Sequence, residues 1–517
     1  MLPPMAKGWY GTSVGGLVCA TLAFSCGRTA SDGRASDTAQ GATGVTLGGA
    51  SEGGAQGANP VEGGRAATAS GGDGVASLPQ PGSLFEDDVT EVQVVSDREG
   101  NAMVEGIGSE THFAHWHEAE QEWSRPGSLS SGHLVETNGS DRFLLTAVAA
   151  NVLDGPAEPA TSRFDLKRDE WGPARAVAIY PFDLPFVIAA DGAGNAFAYG
   201  YDRNLDAVTA TWWAVDQSAW ALPAIPPGQP DSASEVHLVG AGVEGAWYWE
   251  GSPDFIVRYF DTRLGSWSAR QALQLPGASD DRRLVVGRSG EALAVTVNLR
   301  ASEVVVEAQR YDPVRAAWQP KETAFQAPSA GAISAQLFQA FTDSAQHDIV
   351  VVGLRTPDAF ELRIIRREPT TGVWTTVHTV AAAAAPDQVL LAGDLAGNVY
   401  GCISHLNSSA PPSPSSLLAY DAATQVWKES QVDGYGVKLA ASGRGAFVVV
   451  SSSTGDVPYR QSGTGTEWRR ARGMPEGELW PDSMDLAAIG DERALFVWVP
   501  HDMSGSGQGA ASAAFIE

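Results

Sequence analysis

One spacing constrains this chain more than any other feature: a Trp standing seven residues after an aromatic residue, with an acid beside that aromatic. The clearest copy is YDPVRAAW, residues 311–318. WHEAEQEW ends at Trp123, FDLKRDEW at Trp171, WAVDQSAW at Trp220, FDTRLGSW at Trp267 and YDAATQVW at Trp427. Two looser copies, REPTTGVW at Trp374 and QSGTGTEW at Trp468, complete the series. Neighbouring Trp lie 41 to 56 residues apart, and six of the eight first positions are aromatic although aromatics make up only 9% of the chain. The second position is acidic at Asp165, Asp261, Asp312, Glu368 and Asp421. A period of this length means stacked supersecondary units, each too small to bury a core alone.

A second column precedes the first. Gly100 in SDREGNA, Gly194 in ADGAGNAFAYG, Gly290 in GRSGEALAV, Gly397 in GDLAGNVYG and Gly445 in SGRGAFVVV each open an apolar or alternating run, and Gly245 in VEGAWYW is similar. A tight turn leading into such a run is a hairpin signal. One unit therefore reads as strand, Gly turn, strand, variable loop, strand ending in the aromatic–acid pair, turn, and strand opening with Trp. Strand-only units of about fifty residues predict an all-β chain, a β-propeller of four-stranded antiparallel blades. Eight blades are expected, within a range of seven to nine. The start of the folded region, GVASLPQPGSL, resembles the stretches after each Trp, which predicts that an N-terminal strand completes the C-terminal blade.

Each residue type has a physical task in this reading. The paired aromatics are expected to pack between blades, where a buried Trp removes roughly 200 Å² from water. The Asp is expected to accept backbone N–H groups in the turn that follows. The Gly is expected to supply a positive φ.

The Y-D-x5-W column resembles the kelch repeat, and D-x-x-G-N-x-Y resembles another bacterial propeller repeat. The resemblance covers about residues 84–502. The Gly-Gly pair that kelch blades carry in their second strand is missing here, so the resemblance implies architecture and no kelch partner.

The first 82 residues read as address and tether. Lys7, an apolar run from Val14 to Phe24, and Ser25–Cys26 predict a signal peptide over 1–25. The run is too short to span a bilayer. Cys26 resembles the modified Cys of a bacterial lipoprotein lipobox, with Ala23, Phe24 and Ser25 before it. An ordinary leader-peptidase site would cut at the same bond and leave Cys26 without lipid. Residues 26–82 are mostly Gly, Ala, Ser, Thr and Asp, a composition unable to bury enough surface to offset its ordering entropy. They predict a disordered linker between a lipid on Cys26 and a propeller over 83–517. Gly27 after the Cys implies, by resemblance to the enterobacterial sorting rule, an outer-membrane lipoprotein facing the periplasm or the surface. Secretion is the alternative.

The formal net charge of −27 repels phosphate backbones and anionic headgroups, which disfavours nucleic acid and polybasic membrane docking. After removal of Cys19 with the leader, Cys402 is the one thiol inside the folded part, expected as a buried small hydrophobe. His115 and His117 in HFAHWHE, with His112 nearby, share one face of a strand, which suits a metal. Yet His117 falls on the acidic column, so a turn role already accounts for it and no metal site is assigned. No catalytic residue and no cofactor is implied. SDREGNAMV resembles the sialidase Asp box without its final Thr-Trp.

The expected function is therefore an envelope-tethered propeller that binds a protein or glycan without catalysis. Its variable loops NVLDGPAEPATS (151–162) and HLNSSAPPSPSS (405–416) are expected on the binding face. The alternative is a secreted glycan-active enzyme, sialidase- or lyase-like, which would require Arg and carboxylate residues converging in a central channel.

Overall fold

The computed structural model describes residues between Gly82 and Glu517, with short interruptions and longer ones at 136–143, 149–158, 223–235, 405–413 and 501–509. The expected signal peptide, Cys26 and linker lie outside the described residues. Every described element is a strand. The strands pair in order of sequence into small antiparallel sheets. Sheet 1 runs from Val89 to Leu129, sheet 2 from His133 to Ala176, sheet 3 from Val187 to Trp213 and sheet 4 from Val236 to Ala272. Sheet 5 runs from Arg282 to Pro328, sheet 6 from Gln339 to Ala382, sheet 7 from Gln388 to Val432 and sheet 8 from Tyr435 to Arg470. Sheet 9 takes three strands from Pro481–Ile516 and a fourth from Gly82–Ser83.

The chain is thus an all-β propeller. Among the described residues eight sheets carry four or five strands, the number expected from the repeat. The remaining sheet, sheet 3, has three, which takes the total of sheets to the upper end of the expected range. In sheet 3 the place of the fourth strand is held by one backbone contact, Ala221 N–H to Trp212 O at 2.8 Å.

The first strands of most successive sheets meet, as Val187–Ala190 meets Val236–Gly240 and Gln388–Gly393 meets Tyr435–Ala441, and the circle closes where Val89–Ser96 meets Pro481–Ile489. Side chains reinforce that seam: Val92 N–H donates to Ser483 Oγ at 3.1 Å and Val94 N–H to Asp485 Oδ2 at 2.9 Å. The N-terminal strand completes the last sheet, as the sequence predicts. Gly82 faces Ala513 and Ser83 faces Ser512 in the ladder. Pairing Gly82–Ser83 with Ser512–Ala513 covers an edge that would otherwise stay open.

The core lies between sheets. Sheets 5, 6 and 7 share one apolar cluster through Val306, Ile349, Ile364 and Leu418. Second strands are buried on both faces, for example Ala246–Glu250, AWYWE, and Val399–Ser404, VYGCIS. That double burial explains why they read as continuous apolar runs instead of alternating ones.

Candidate functional site

The repeat columns build the frame around any site. The seven-residue spacing is the geometry of a hairpin in which aromatic and Trp become direct cross-strand partners. Trp116 faces Trp123, Phe164 faces Trp171, Phe260 faces Trp267, Tyr311 faces Trp318 and Tyr420 faces Trp427. Each Trp also reaches the preceding sheet. Trp171 meets Phe113, with ring centroids 5.0 Å apart, and Trp318 meets Trp247 at 5.5 Å. Trp427 stacks on His378, Trp468 meets Tyr400, and Trp123 meets Phe515 of sheet 9. Trp267 packs in the apolar cluster that sheets 3 and 4 share. Trp220 donates from Nε1 to Thr161 Oγ1 of sheet 2 at 2.9 Å. In the looser copy Arg367 faces Trp374, and both bind Glu322 of sheet 5, at 3.0 and 2.8 Å. An ionic clasp stands there in place of an aromatic pair.

The acidic column caps its own turns. Asp312 Oδ1 accepts Val314 N–H at 2.9 Å and Arg315 N–H at 3.1 Å. Asp421 does the same for Ala423 and Thr424, Asp261 for Arg263 and Leu264, and Asp165 for Arg168. Two residues before Trp, six repeats hold a left-handed residue: Gln121, Asp169, Gly265, Ala316, Gly372 and Gln425. Only two of these are Gly, so composition hides the position.

Gly100, Gly194, Gly290 and Gly397 have φ of 83° to 90°. Gln346 fills the equivalent place in sheet 6 at φ 67°. Gly445 differs and simply opens the strand Gly445–Ser452. Asp and Asn flank three of these turns. Asp191 Oδ1 accepts Ala193 and Asn195 N–H, and Asn195 Nδ2 donates to Asp191 Oδ2 at 2.9 Å. Asn195 Oδ1 then accepts Val215 N–H from the aromatic turn at 3.1 Å. Asp97 with Asn101 and Asp394 with Asn398 repeat the arrangement. The Gly turns and the aromatic–acid turns therefore share one end of the sheets, locked by their own side chains.

Two polar clusters stand out from this frame. The first joins sheets 1 and 2. His115 and His117, two apart on Thr111–His117, present their rings on one face with centroids 4.1 Å apart. Asp169, the left-handed residue of the next aromatic turn, comes to both: its Oδ1 lies 2.8 Å from His115 Nδ1 and 3.1 Å from His117 Nε2. Ser124 Oγ is 3.0 Å from His117 Nε2. His117 thus does not do the turn-capping that its column suggests; its ring is turned toward Ser124 and the neighbouring sheet. Burial lowers the basicity of His115, against the pull of Asp169. Burial would raise Asp169, but bonds from Ser124 and His115 and the nearby imidazoles outweigh it and hold the carboxyl low. Asp169 escaped the sequence reading because it contacts the His pair only through the inter-sheet packing.

The second cluster lies between sheets 3 and 4. Tyr199 OH donates to Tyr248 OH at 2.9 Å, and Tyr248 OH to Glu250 Oε1 at 2.8 Å. Arg258 and Arg270 approach Glu250 at 4.0 and 3.3 Å. Burial drives both phenols far above their ordinary range. The side chains of Arg258 and Glu250, both in sheet 4, are only 1% and 5% exposed, so this Arg–carboxylate contact lies in the interior, and the Tyr199–Tyr248 hydrogen bond joins it to sheet 3. Cys402 is likewise fully buried, and burial pushes its thiol up to about 11.

No protein-family model matches the chain, and no curated protein matches it. Among solved structures it is similar to the Dos1 propeller, at 9% identity and TM-score 0.42, over 78% of this chain and 97% of that one. It is similar to the polysaccharide lyase Uly1, at 9% identity and TM-score 0.35, over 87% and 94%. It is similar to puromycin hydrolase, at 13% identity and TM-score 0.34, over 72% of this chain and only 58% of that chain. Both enzymes and a structure described only as a propeller stand among these likenesses, and at such identities none bears on activity.

Proposed function

We propose that this protein is a binding propeller, tethered to a bacterial envelope by a lipid on Cys26, and that it recognises a protein or glycan through the end carrying its second-to-third-strand connections. The observation that supports this reading is the difference between the two ends. At one end Asp97, Asp191, Asp394 and the column acids spend their carboxylates on their own turns. Such an end is stiff and has little left to offer a partner. The other end carries the connections that vary in length. Long ones follow Leu144–Val148 in sheet 2, Val399–Ser404 in sheet 7 and Arg493–Pro500 in sheet 9, and the first two are the proposed recognition loops. Residues 149–158 and 405–413 of these connections lie outside the described residues. Variable loops on a rigid frame are where recognition usually sits. Catalysis enters nowhere in this reading, and the side chains of Tyr248, Glu250 and Arg258 are buried.

The test is a pair of proteins, the chain itself and a version in which both connections are shortened to four-residue turns. Each is offered a glycan array and envelope extracts, and both are assayed for turnover on a polysaccharide panel. Saturable binding that disappears with the loops is expected. Turnover, or binding unchanged by the loop exchange, overturns the reading. Incorporation of labelled fatty acid, lost in Cys26→Ser, tests the tether separately.

A further inference from the structure

We infer that His115, His117 and Asp169 form a binding site for one divalent transition-metal ion of the zinc class, bridging sheets 1 and 2. One ring nitrogen each from His115 and His117 and a carboxylate oxygen of Asp169 all lie within 4.8 Å of one another. Donors bound to zinc at about 2.0–2.2 Å are a little over 3 Å apart. The two contacts to Asp169, at 2.8 and 3.1 Å, sit just inside that spacing, while the 4.8 Å span of the whole set lies outside it, so a metal would draw the two imidazoles together by about an ångström. Imidazole with carboxylate is a donor set of borderline softness, suited to zinc and its neighbours and not to calcium or magnesium.

The surroundings supply what such a site requires. His115 is held in place by packing: its side chain is 1% exposed and the Phe164 ring stands edge-on to it at 4.8 Å. Ser124 touches His117 and hydrogen-bonds Asp169, which orients two ligands from outside the donor set. The Asp169 side chain is 30% exposed, which leaves an entry from solvent. The inference does not rest on the proposed binding role, because the donors sit at the locked end of the sheets.

Zinc chloride and cobalt chloride are titrated into the full chain, with calorimetry for stoichiometry and visible absorption for cobalt. Two variants, His117→Gln and Asp169→Asn, keep side-chain size and polarity. The expected result is one equivalent bound by the native chain, with cobalt d–d bands and a higher melting temperature. Each variant should weaken binding at least tenfold while its metal-free melting curve stays cooperative. Absence of stoichiometric binding to the native chain, or native-like affinity in both variants, overturns the site and leaves an inter-sheet hydrogen-bond cluster. Calcium chloride serves as the negative control, and binding of calcium with equal affinity would equally overturn the assignment.

Discussion

Asn398 Nδ2 donates to Asp394 Oδ2 at 2.7 Å, while the same amide's Oδ1 accepts Ala422 N–H at 2.9 Å. One side chain therefore ties the first hairpin of sheet 7 to the turn that follows its third strand. Asp394 is buried, and burial raises its carboxyl pKa against the bonds from Asn398 and Tyr400. Asn398→Ala leaves that carboxylate with fewer donors and the Ala422 N–H without its acceptor. A loss of about 1–3 kcal/mol is expected in urea unfolding. A change within error would show that water replaces the amide at no cost.

Glu105 should make stability fall as pH rises through neutrality. Its side chain is fully buried and Oε2 accepts Leu134 N–H at 2.8 Å across the sheet 1–2 boundary. Burial pushes the carboxyl up from 4.5 to about 7, the Leu134 bond opposes this, and Glu91 adds to it. A raised folded pKa means the contribution is full below about 4.5 and is lost as pH rises through 7. The upper bound is about 3 kcal/mol, from the free energy equivalent of the shift. Glu105→Gln keeps an acceptor for Leu134 and cannot ionise. It should match the native chain near pH 4 and exceed its melting temperature at pH 8.5. Equal pH profiles would remove Glu105 as the cause.

Two glycines of positive φ should differ sharply in their tolerance of a methyl group. At Gly245, φ 134°, an added Cβ would sit 2.3 Å from Phe260 O and 2.6 Å from the Tyr259 hydroxyl. At Gly490, φ 61°, it would meet nothing within 4 Å. Gly245→Ala is expected to cost about 3 kcal/mol or more, from clash added to backbone strain, and Gly490→Ala only about 1 kcal/mol from strain alone. Denaturant midpoints of the two variants check the order, and reversal would contradict the described turn at Gly245.

Cys402 should be inert in the folded protein. Its thiol is fully buried, with Ser404 Oγ 3.5 Å away, and burial holds it up to about 11. The attacking species is the thiolate, so iodoacetamide at pH 8 should modify Cys402 at least about 100-fold more slowly in native protein than in urea. Peptide mapping separates it from Cys19 and Cys26. Rapid native labelling would mean that sheet 7 opens readily.

The sequence by itself determined what repeats locally. A seven-residue interval between Tyr311 and Trp318 can only be a short hairpin once both are strand residues, and the ladder makes them direct partners. Gly100, Gly194, Gly290 and Gly397 announced their turns because only glycine takes that φ without strain. The closing strand was legible for the same reason, since the segment before sheet 1 carries the pattern of a repeat's last strand. Gln121, Asp169, Ala316 and Gln425 were not legible as left-handed residues, because the hairpin imposes that conformation on whatever side chain stands there. Nor was the partnership of Asp169 with His115, 54 residues away. Spacing along a chain reports the contacts made within one sheet. Contacts between sheets depend on how neighbouring faces pack, and only the tertiary structure decided which carboxylate came to rest against the two imidazoles.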